Sequence, residues 1–367
     1  MLLEAPPIDR ATAYHVVVPF KRLFATAHGV LAARSSWILR LRDAQGAEGF
    51  GEIALDPGAT TLEEGRLAAA VREAVAELEA GQFPERSCLL ASRAEGRAIL
   101  AGIDGALDSL LRAASGDPNG PRSRESVAVN ATLSDAGAEA TAEAAIRAVA
   151  AGFTCLKLKV GPEITAALVD RVAAVSRAIP TSVRLRLDAN CSWTRSMAVE
   201  RLAELAAYDI EYVEQPLAAD DLEGHAALRR ECRVPIALDE SVESDEAASA
   251  ALAAGAADVL VIKPARVGGP RVLREIARRA ASAGVPVVVS SFFETGIGID
   301  AAVRAGADLP LIGQERAHGL ATAGLLEHDL LRIPASVIGG RIALPPQLAV
   351  DEAALARYTV EQIGPSR

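Results

Sequence analysis

Lys157, Lys159, Asp188, Glu214, Asp239 and Lys263 are the residues of this chain whose types and spacing suit chemistry. All but Lys157 stand at the end of a short apolar run of strand character, as in Leu156-Lys157-Leu158-Lys159 and Ile210-Glu211-Tyr212-Val213-Glu214. The chain has 38 basic residues, yet only Lys21, Lys157, Lys159 and Lys263 are lysine. Arginine cannot release its proton near neutral pH, whereas lysine can when its surroundings lower its pKa. Keeping lysine beside the three acids points to an amine that titrates; the plain alternative is three solvated surface lysines. Side chains two apart on a strand share a face, so Lys157 and Lys159 point the same way. If the runs are neighbouring strands of one cylinder, Asp188, Glu214 and Asp239 converge at one height. Carboxylates so placed repel one another unless a cation sits between them, and oxygen-only ligands favour Mg²⁺, with Mn²⁺ as the alternative. The opposing reading is three separate salt bridges to arginines. Lys159 and Lys263 would then lie on either side of a substrate held on the cation. That arrangement suits removal of a proton next to a carboxylate, a very weak carbon acid that needs a divalent cation to take up the developing charge.

The elements that must position these groups follow from their period. The charged ends recur every ~24 to 29 residues, the length of one strand, one helix and two loops. Ser126-Val127-Ala128-Val129-Asn130-Ala131-Thr132 reads as a first strand in register with the rest. Helical periodicity over 138–151, 165–178, 196–207, 222–230, 244–254 and 271–283 alternates with the strands. A seventh strand, 285–291, leads into Phe292-Phe293-Glu294-Thr295-Gly296, and a short helix follows over 299–305. Leu309-Pro310-Leu311-Ile312-Gly313 is the expected eighth strand. Ionisable groups closing successive strands mark the catalytic face of a (β/α)₈ barrel. Upstream, residues 11–54 read as an antiparallel meander with a turn at Asp43-Ala44-Gln45-Gly46, and 62–80 as a helix capped by Thr60 or Thr61. A second helix, 97–114, ends at Ser115-Gly116-Asp117-Pro118. The expected fold class is therefore α/β: a modified (β/α)₈ TIM-type barrel over 98–320. An N-terminal α+β capping domain takes 1–97, and 321–367 returns to it.

Composition narrows the partners. A formal charge of −10 argues against nucleic acid or an anionic membrane. The longest apolar stretch, about 247–262, is broken by Ser249, Gly255 and Asp258, so no membrane span is expected. The first twenty residues lack a basic n-region and do not read as a signal peptide. Cys88, Cys155, Cys191 and Cys232 are dispersed and read as reduced thiols of a cytoplasmic protein. The expected partner is a small-molecule carboxylate, and a homo-oligomer is compatible with the chain.

Lys157-Leu158-Lys159, Asp188-Ala189-Asn190, Val213-Glu214-Gln215-Pro216, Leu238-Asp239-Glu240-Ser241 and Ile262-Lys263-Pro264 together resemble the muconate-lactonising subgroup of the enolase superfamily. Val267-Gly268-Gly269, Asn130-Ala131-Thr132-Leu133 and Ser290-Ser291-Phe292-Phe293-Glu294-Thr295-Gly296 most resemble its o-succinylbenzoate synthase branch. The resemblance covers nearly the whole chain. It implies a Mg²⁺-dependent syn dehydration of 2-succinyl-6-hydroxy-2,4-cyclohexadiene-1-carboxylate through an enediolate, a step of menaquinone synthesis. It implies Lys159 as base and then acid, Lys263 on the opposite ring face, and Lys157 beside the carboxylate, lowering the base's pKa. Asp188, Glu214 and Asp239 would hold the metal. Asn190 and Glu240 would support the ligands, and Ser290, Ser291 and Glu294 would line the succinyl end.

Other signals are weaker. Gly296-Ile297-Gly298-Ile299-Asp300-Ala301 fits G-x-G-x-x-A, but it lies in the seventh repeat, where no dinucleotide fold begins. Its amides could instead bind a substrate carboxylate. Lys21 and Arg22 either reach the mouth or stand in solvent. The nearest rival is an N-acylamino acid racemase or dipeptide epimerase of the same subgroup, which would use both lysines across one carbon. Gly313-Gln314-Glu315-Arg316 is only a partial match to the acidic motif expected of dipeptide epimerases. A Schiff-base aldolase barrel and a non-catalytic ligand-binding barrel are the remaining rivals.

Overall fold

The structure is a computed structural model that describes residues 7–26, 29–83, 92–115, 124–135, 137–344 and 348–365. Cys88, His28 and the expected helix stop at Gly116 to Pro118 lie outside the described residues.

The cap is built on an antiparallel sheet in the order β14-β1-β2-β3. These strands are β1 (Ile8–Thr26), β2 (Gly29–Asp43), β3 (Glu48–Ile53) and β14 (Thr359–Ile363). The turn between β2 and β3 forms where expected, with Asp43 Oδ1 accepting from the amides of Gln45 and Ala47. Residues 21–26 continue β1 as strand. Beyond an irregularity between Pro19 and Phe24 the hairpin resumes, pairing Ala25 with Val30. Proline has no N–H to give the ladder, which accounts for the break.

Alternation divides the side chains of β2 between two interiors. Trp37, Leu39 and Leu41 pack with Val71, Val75, Ile99, Ile103 and Leu110 of the helices Thr61–Glu79 and Ala94–Ser115. Ile38 joins Phe20, Ile297, Leu326 and Leu330, which tie the cap to the barrel side. The helix Ala94–Ser115 thus carries the cap's core past residue 97, as far as Leu110.

The barrel is a curled parallel sheet of seven strands, in the order β11-β10-β9-β8-β7-β6-β5. They are β5 (Ala131–Leu133), β6 (Cys155–Lys159), β7 (Arg184–Asp188), β8 (Ile210–Glu214), β9 (Ile236–Leu238), β10 (Val259–Ile262) and β11 (Val287–Val289). Three of the intervening helices start where hydroxyl or carboxylate side chains cap them: Thr194 accepts from Met197, Asp221 from Gly224 and Ser244 from Ala247.

The eighth position differs from expectation. Residues 309–313 form no strand, and Ala317 to Gly319 closes the wall instead. Isolated parallel bridges join Val129 to His318 and Ser290 to Gly319. Pro310 lacks a donor, and although Leu309 enters the barrel core, Leu311 is 61% exposed, so the run does not settle as a strand. Closure leaves Gly319 against Ser290, where a Cβ would lie 2.8 Å from Ser290 Oγ. The expected first strand is split as well. Ser126–Ala128 (β4) pairs with Arg341–Ala343 (β13) of the C-terminal segment, and only β5 joins the barrel sheet.

Candidate active site

Parallel pairing sets the height of each charge. Lys159 pairs with Asp188 and Asp188 with Glu214, so the three lie in one row. Asp239 and Lys263 each follow directly after the last residue of their strands. One row below, Lys157 pairs with Arg186 and Arg186 with Tyr212. The lumen under the acids is filled, not open: Tyr212, Ala237, Val259, Val261 and Val288 pack there. Asp188 and Glu214 are each 1% exposed and Asp239 is 4% exposed.

The cations fold onto these acids. Lys157 Nζ donates to Glu214 Oε1 at 3.0 Å and stands 3.0 Å from Asp188 Oδ2. Lys159 Nζ donates to Asp188 Oδ2 at 2.7 Å and to Asn190 Oδ1 at 2.8 Å. Lys263 Nζ donates to Asp239 Oδ2, and Arg266 Nη1 donates to Asp239 Oδ1 at 2.6 Å. Asn190 Nδ2 donates to Glu240 Oε1 at 3.0 Å, so Glu240 orients the amide that meets Lys159. With 40% of its side chain exposed, Lys159 is the lysine of the three that faces the mouth; Lys157 and Lys263 are at 10%.

The electrostatics follow from this packing. Burial works to raise the Asp188 carboxyl, but Lys157 and Lys159 outweigh it and hold it well below the usual range. Burial and then the neighbouring Asp188 push Glu214 up to about 7 despite Lys157. Burial also works to lower Lys157, and Asp188 and Glu214 override it, keeping this ammonium charged. The structure therefore gives Lys157 the part of a fixed counter-charge to two acids.

Among the described residues no three His, Cys, Asp or Glu side chains stand together as a ready metal cage, because Lys157, Lys263 and Arg266 occupy the carboxylates. The donor set nevertheless fits a hard divalent cation. It is oxygen-only, buried and carried by three consecutive strands.

Two positions at the rim were not anticipated. Gln215, fully buried, accepts at Oε1 from the amides of Asp239 (3.0 Å) and Ser241 (3.2 Å), and its Nε2 donates to Ser241 Oγ at 2.7 Å. Arg266 spans from Asp239 to Asp56 of the cap at 3.4 Å. Asn190, Cys191, Gln215 and Phe293 all have positive φ, from 41° to 63°, just beyond the ends of barrel strands. Non-glycine residues adopt this region at a cost and cluster where the chain must turn a side chain into a site. Gln215 was legible only as the neighbour of Glu214; its position between two strands is a tertiary fact.

The expected substrate residues divide. Ser290 and Ser291 stand at the rim, Ser291 Oγ sharing a hydrogen bond with Thr322 Oγ1 at 2.8 Å. Glu294 turns to the seam with the cap, where its Oε2 accepts from Phe292 N at 2.6 Å. The amides at the start of the helix Gly296–Ala307 are not open to a substrate carboxylate, contrary to expectation. Glu52 of the cap accepts from the amides of Thr295 and Gly298, both at 3.1 Å, and Asp329 accepts from Gly296. Lys21 donates to the Gly324 carbonyl at 2.8 Å. Cys155, Cys191 and Cys232 are free thiols. Among the described residues no helix is long and apolar enough to cross a membrane.

Comparison with known proteins agrees with this geometry. The profile of the enolase C-terminal domain-like family matches residues 140–348. An o-succinylbenzoate synthase from Thermobifida fusca is 38% identical over 241 residues, 65% of this chain and 72% of that protein. A probable mandelate racemase structure from Alicyclobacillus acidocaldarius superposes with a TM-score of 0.83 at 29% identity, covering 98% of this chain and 99% of that one. The L-Ala-D/L-Glu epimerase of Bacillus subtilis gives 0.79 at 26%, covering 93% and 97%. Domain match, relatives and fold agree: this chain belongs to the enolase superfamily, in its muconate-lactonising subgroup.

Proposed function

We propose that this protein is an o-succinylbenzoate synthase, a carbon–oxygen lyase that dehydrates 2-succinyl-6-hydroxy-2,4-cyclohexadiene-1-carboxylate. The observation that carries the reading is one row of strand ends bearing an exposed amine, Lys159, beside buried carboxylates, with a second amine, Lys263, four strands away across the cylinder. The relatives named o-succinylbenzoate synthase support the choice of reaction within the superfamily. Asp188, Glu214 and Asp239 would hold Mg²⁺, or Mn²⁺ in its place. When bound, that ion supplies Lewis-acid stabilisation of charge developing on the substrate carboxylate.

The chain's own residues do the rest. Lys159, as the free amine, takes the proton from the carbon next to the carboxylate. The same ammonium then delivers that proton to the hydroxyl leaving on the same face, so water departs and the ring becomes aromatic. Asn190, oriented by Glu240, accepts a hydrogen bond from Lys159 and fixes its direction. Lys263 presents a positive charge to the opposite face. Lys157, clamped between Asp188 and Glu214, balances their charge.

Lys159→Ala should lower kcat by ~10²- to 10⁴-fold, the usual worth of a positioned acid–base group, with an unchanged circular dichroism spectrum. Substantial residual turnover would remove Lys159 as the base. EDTA should abolish activity and Mg²⁺ restore it. The two-lysine arrangement also supports a second reading, racemisation or epimerisation of N-acylamino acids or dipeptides, because two amines on opposite strands can exchange a proton across one carbon. Assaying the cyclohexadiene acid beside N-succinylamino acids separates the two: turnover of the latter alone would replace the first reading.

A further inference from the structure

Lys263 is held by more than its carboxylate partner. The ring of Phe292, 5% exposed, lies under it, with Lys263 Nζ 5.3 Å from the ring centroid. The Arg266 guanidinium lies 5.0 Å from the same centroid, so one aromatic ring receives two cations. Aromatic faces attract cations, and the attraction grows when water is excluded, as it is here.

The ring cannot swing away. Ala54 of the cap and Ala265 of the short helix Pro264–Val267 pack against it in one buried cluster. Its own amide is held by Glu294 Oε2 at 2.6 Å. Phe293 follows with φ 63° and meets Phe20 of the cap edge-on, with centroids 6.1 Å apart. Glu52 fastens Thr295, two residues on, through both its amide and its hydroxyl. The loop from Phe292 to Thr295 is therefore pinned to the cap at three points, Phe292, Phe293 and Thr295, and the ring of Phe292 is the part of it that touches the site.

We propose that Phe292 is a positioning residue for Lys263: its pinned ring face fixes the ammonium on its side of the substrate and keeps it there as Asp239 is engaged. The inference deepens the proposed function and rests on the role given there to Lys263. It extends beyond it by making the cap–barrel seam, through the Phe292–Thr295 loop, part of the machinery that sets this charge.

The test compares Phe292→Leu and Phe292→Met, which keep an apolar side chain without a π face, with Phe292→Tyr, which restores the face. Two quantities are read: kcat against KM for dehydration, and the rate at which acetic anhydride acylates Lys263, followed by peptide mass spectrometry. Because the chain has only four lysines, each can be followed separately. The expected result is a ~10- to 30-fold fall in kcat for the Leu and Met variants, with KM within twofold. Lys263 should be acylated several-fold faster in both while Lys157 is unaffected, and Phe292→Tyr should recover most of both properties. Unchanged kcat and unchanged labelling in the Leu and Met variants would overturn the proposal, as would a Tyr variant as impaired as they are. Phe292→Met, less disruptive in volume, decides the matter if Phe292→Leu does not fold. Turnover surviving Lys263→Ala would instead overturn the role assigned to Lys263, and labelling would still report whether the ring holds the amine.

Discussion

Gln215 illustrates how much of this site is carried by uncharged groups. It follows Glu214 with φ 42°, which turns its amide sideways across the gap to the next strand. There it accepts from the backbone of Asp239 and Ser241 while its own backbone amide bonds Ala237. One side chain thus sets the relative height of two carboxylates proposed to share a cation. Gln215→Leu should leave two buried amides without acceptors, costing about 1–3 kcal/mol for each group left unpaired. If the acids hold Mg²⁺, it should also raise the Mg²⁺ concentration needed for half-maximal activity by ~10- to 100-fold, as loss of a ligand's support does elsewhere. Urea unfolding and a metal titration of activity check the two effects. An unchanged metal requirement would confine Gln215 to stability.

Among the elements, the contact between β3 and the helix Ala94–Ser115 shows why short residues recur in Gly49-Phe50-Gly51. A Cβ at Gly51 would run into the carbonyl of Gly102 and the amide of Ala106, and one at Gly49 into the backbone of Ala106 and Leu110. Strand and helix meet backbone to backbone, which carries Glu52, the next residue, to the start of the barrel helix Gly296–Ala307. Gly51→Ala cannot be absorbed by a flexible side chain and should destabilise the protein by about 1–3 kcal/mol or more. Differential scanning calorimetry would register this as a lower melting temperature. Gly65→Ala, at a helix position open to solvent, is the control and should not destabilise.

For the molecule as a whole, the seam between cap and barrel carries buried charge. Arg34, 4% exposed, and the carboxylates of Glu52 and Glu294, 6% and 5%, are enclosed there. Burial first, and Glu52 besides, lift Glu294 to about 7 from an ordinary 4.5, against the pull of Arg34. Between those pH values the folded protein keeps a proton that the unfolded chain has released. Stability from this group is therefore full below about pH 4.5 and lost as pH rises through about 7. Glu294→Gln, which keeps an acceptor for Phe292 N, should remove this term. Its melting temperature should exceed that of the parent at pH 8 and converge with it towards pH 4.5; parallel curves across that range would refute the assignment.

Residue types and their period were enough to specify a repeating strand–helix unit, the placement of acids and amines at strand ends, and the cap upstream. Those features depend on short-range rules: alternation within a strand, helical spacing, and capping by Thr194, Asp221 and Ser244. Expectation failed where distant segments compete for one place. Leu309-Pro310-Leu311-Ile312 has the apolar pattern of a strand, yet Ala317 to Gly319 fills the eighth position, because only a segment with glycine opposite Ser290 can approach so closely. The amides at Gly296 and Gly298 looked free to bind a substrate, but Glu52, about 245 residues away in sequence, occupies that end of the helix together with Asp329. Which acid meets which lysine, and which ring lies beneath Lys263, depends on pairing across the closed sheet and on how the cap seats against it. No local pattern encodes those contacts, so only the tertiary structure decides them.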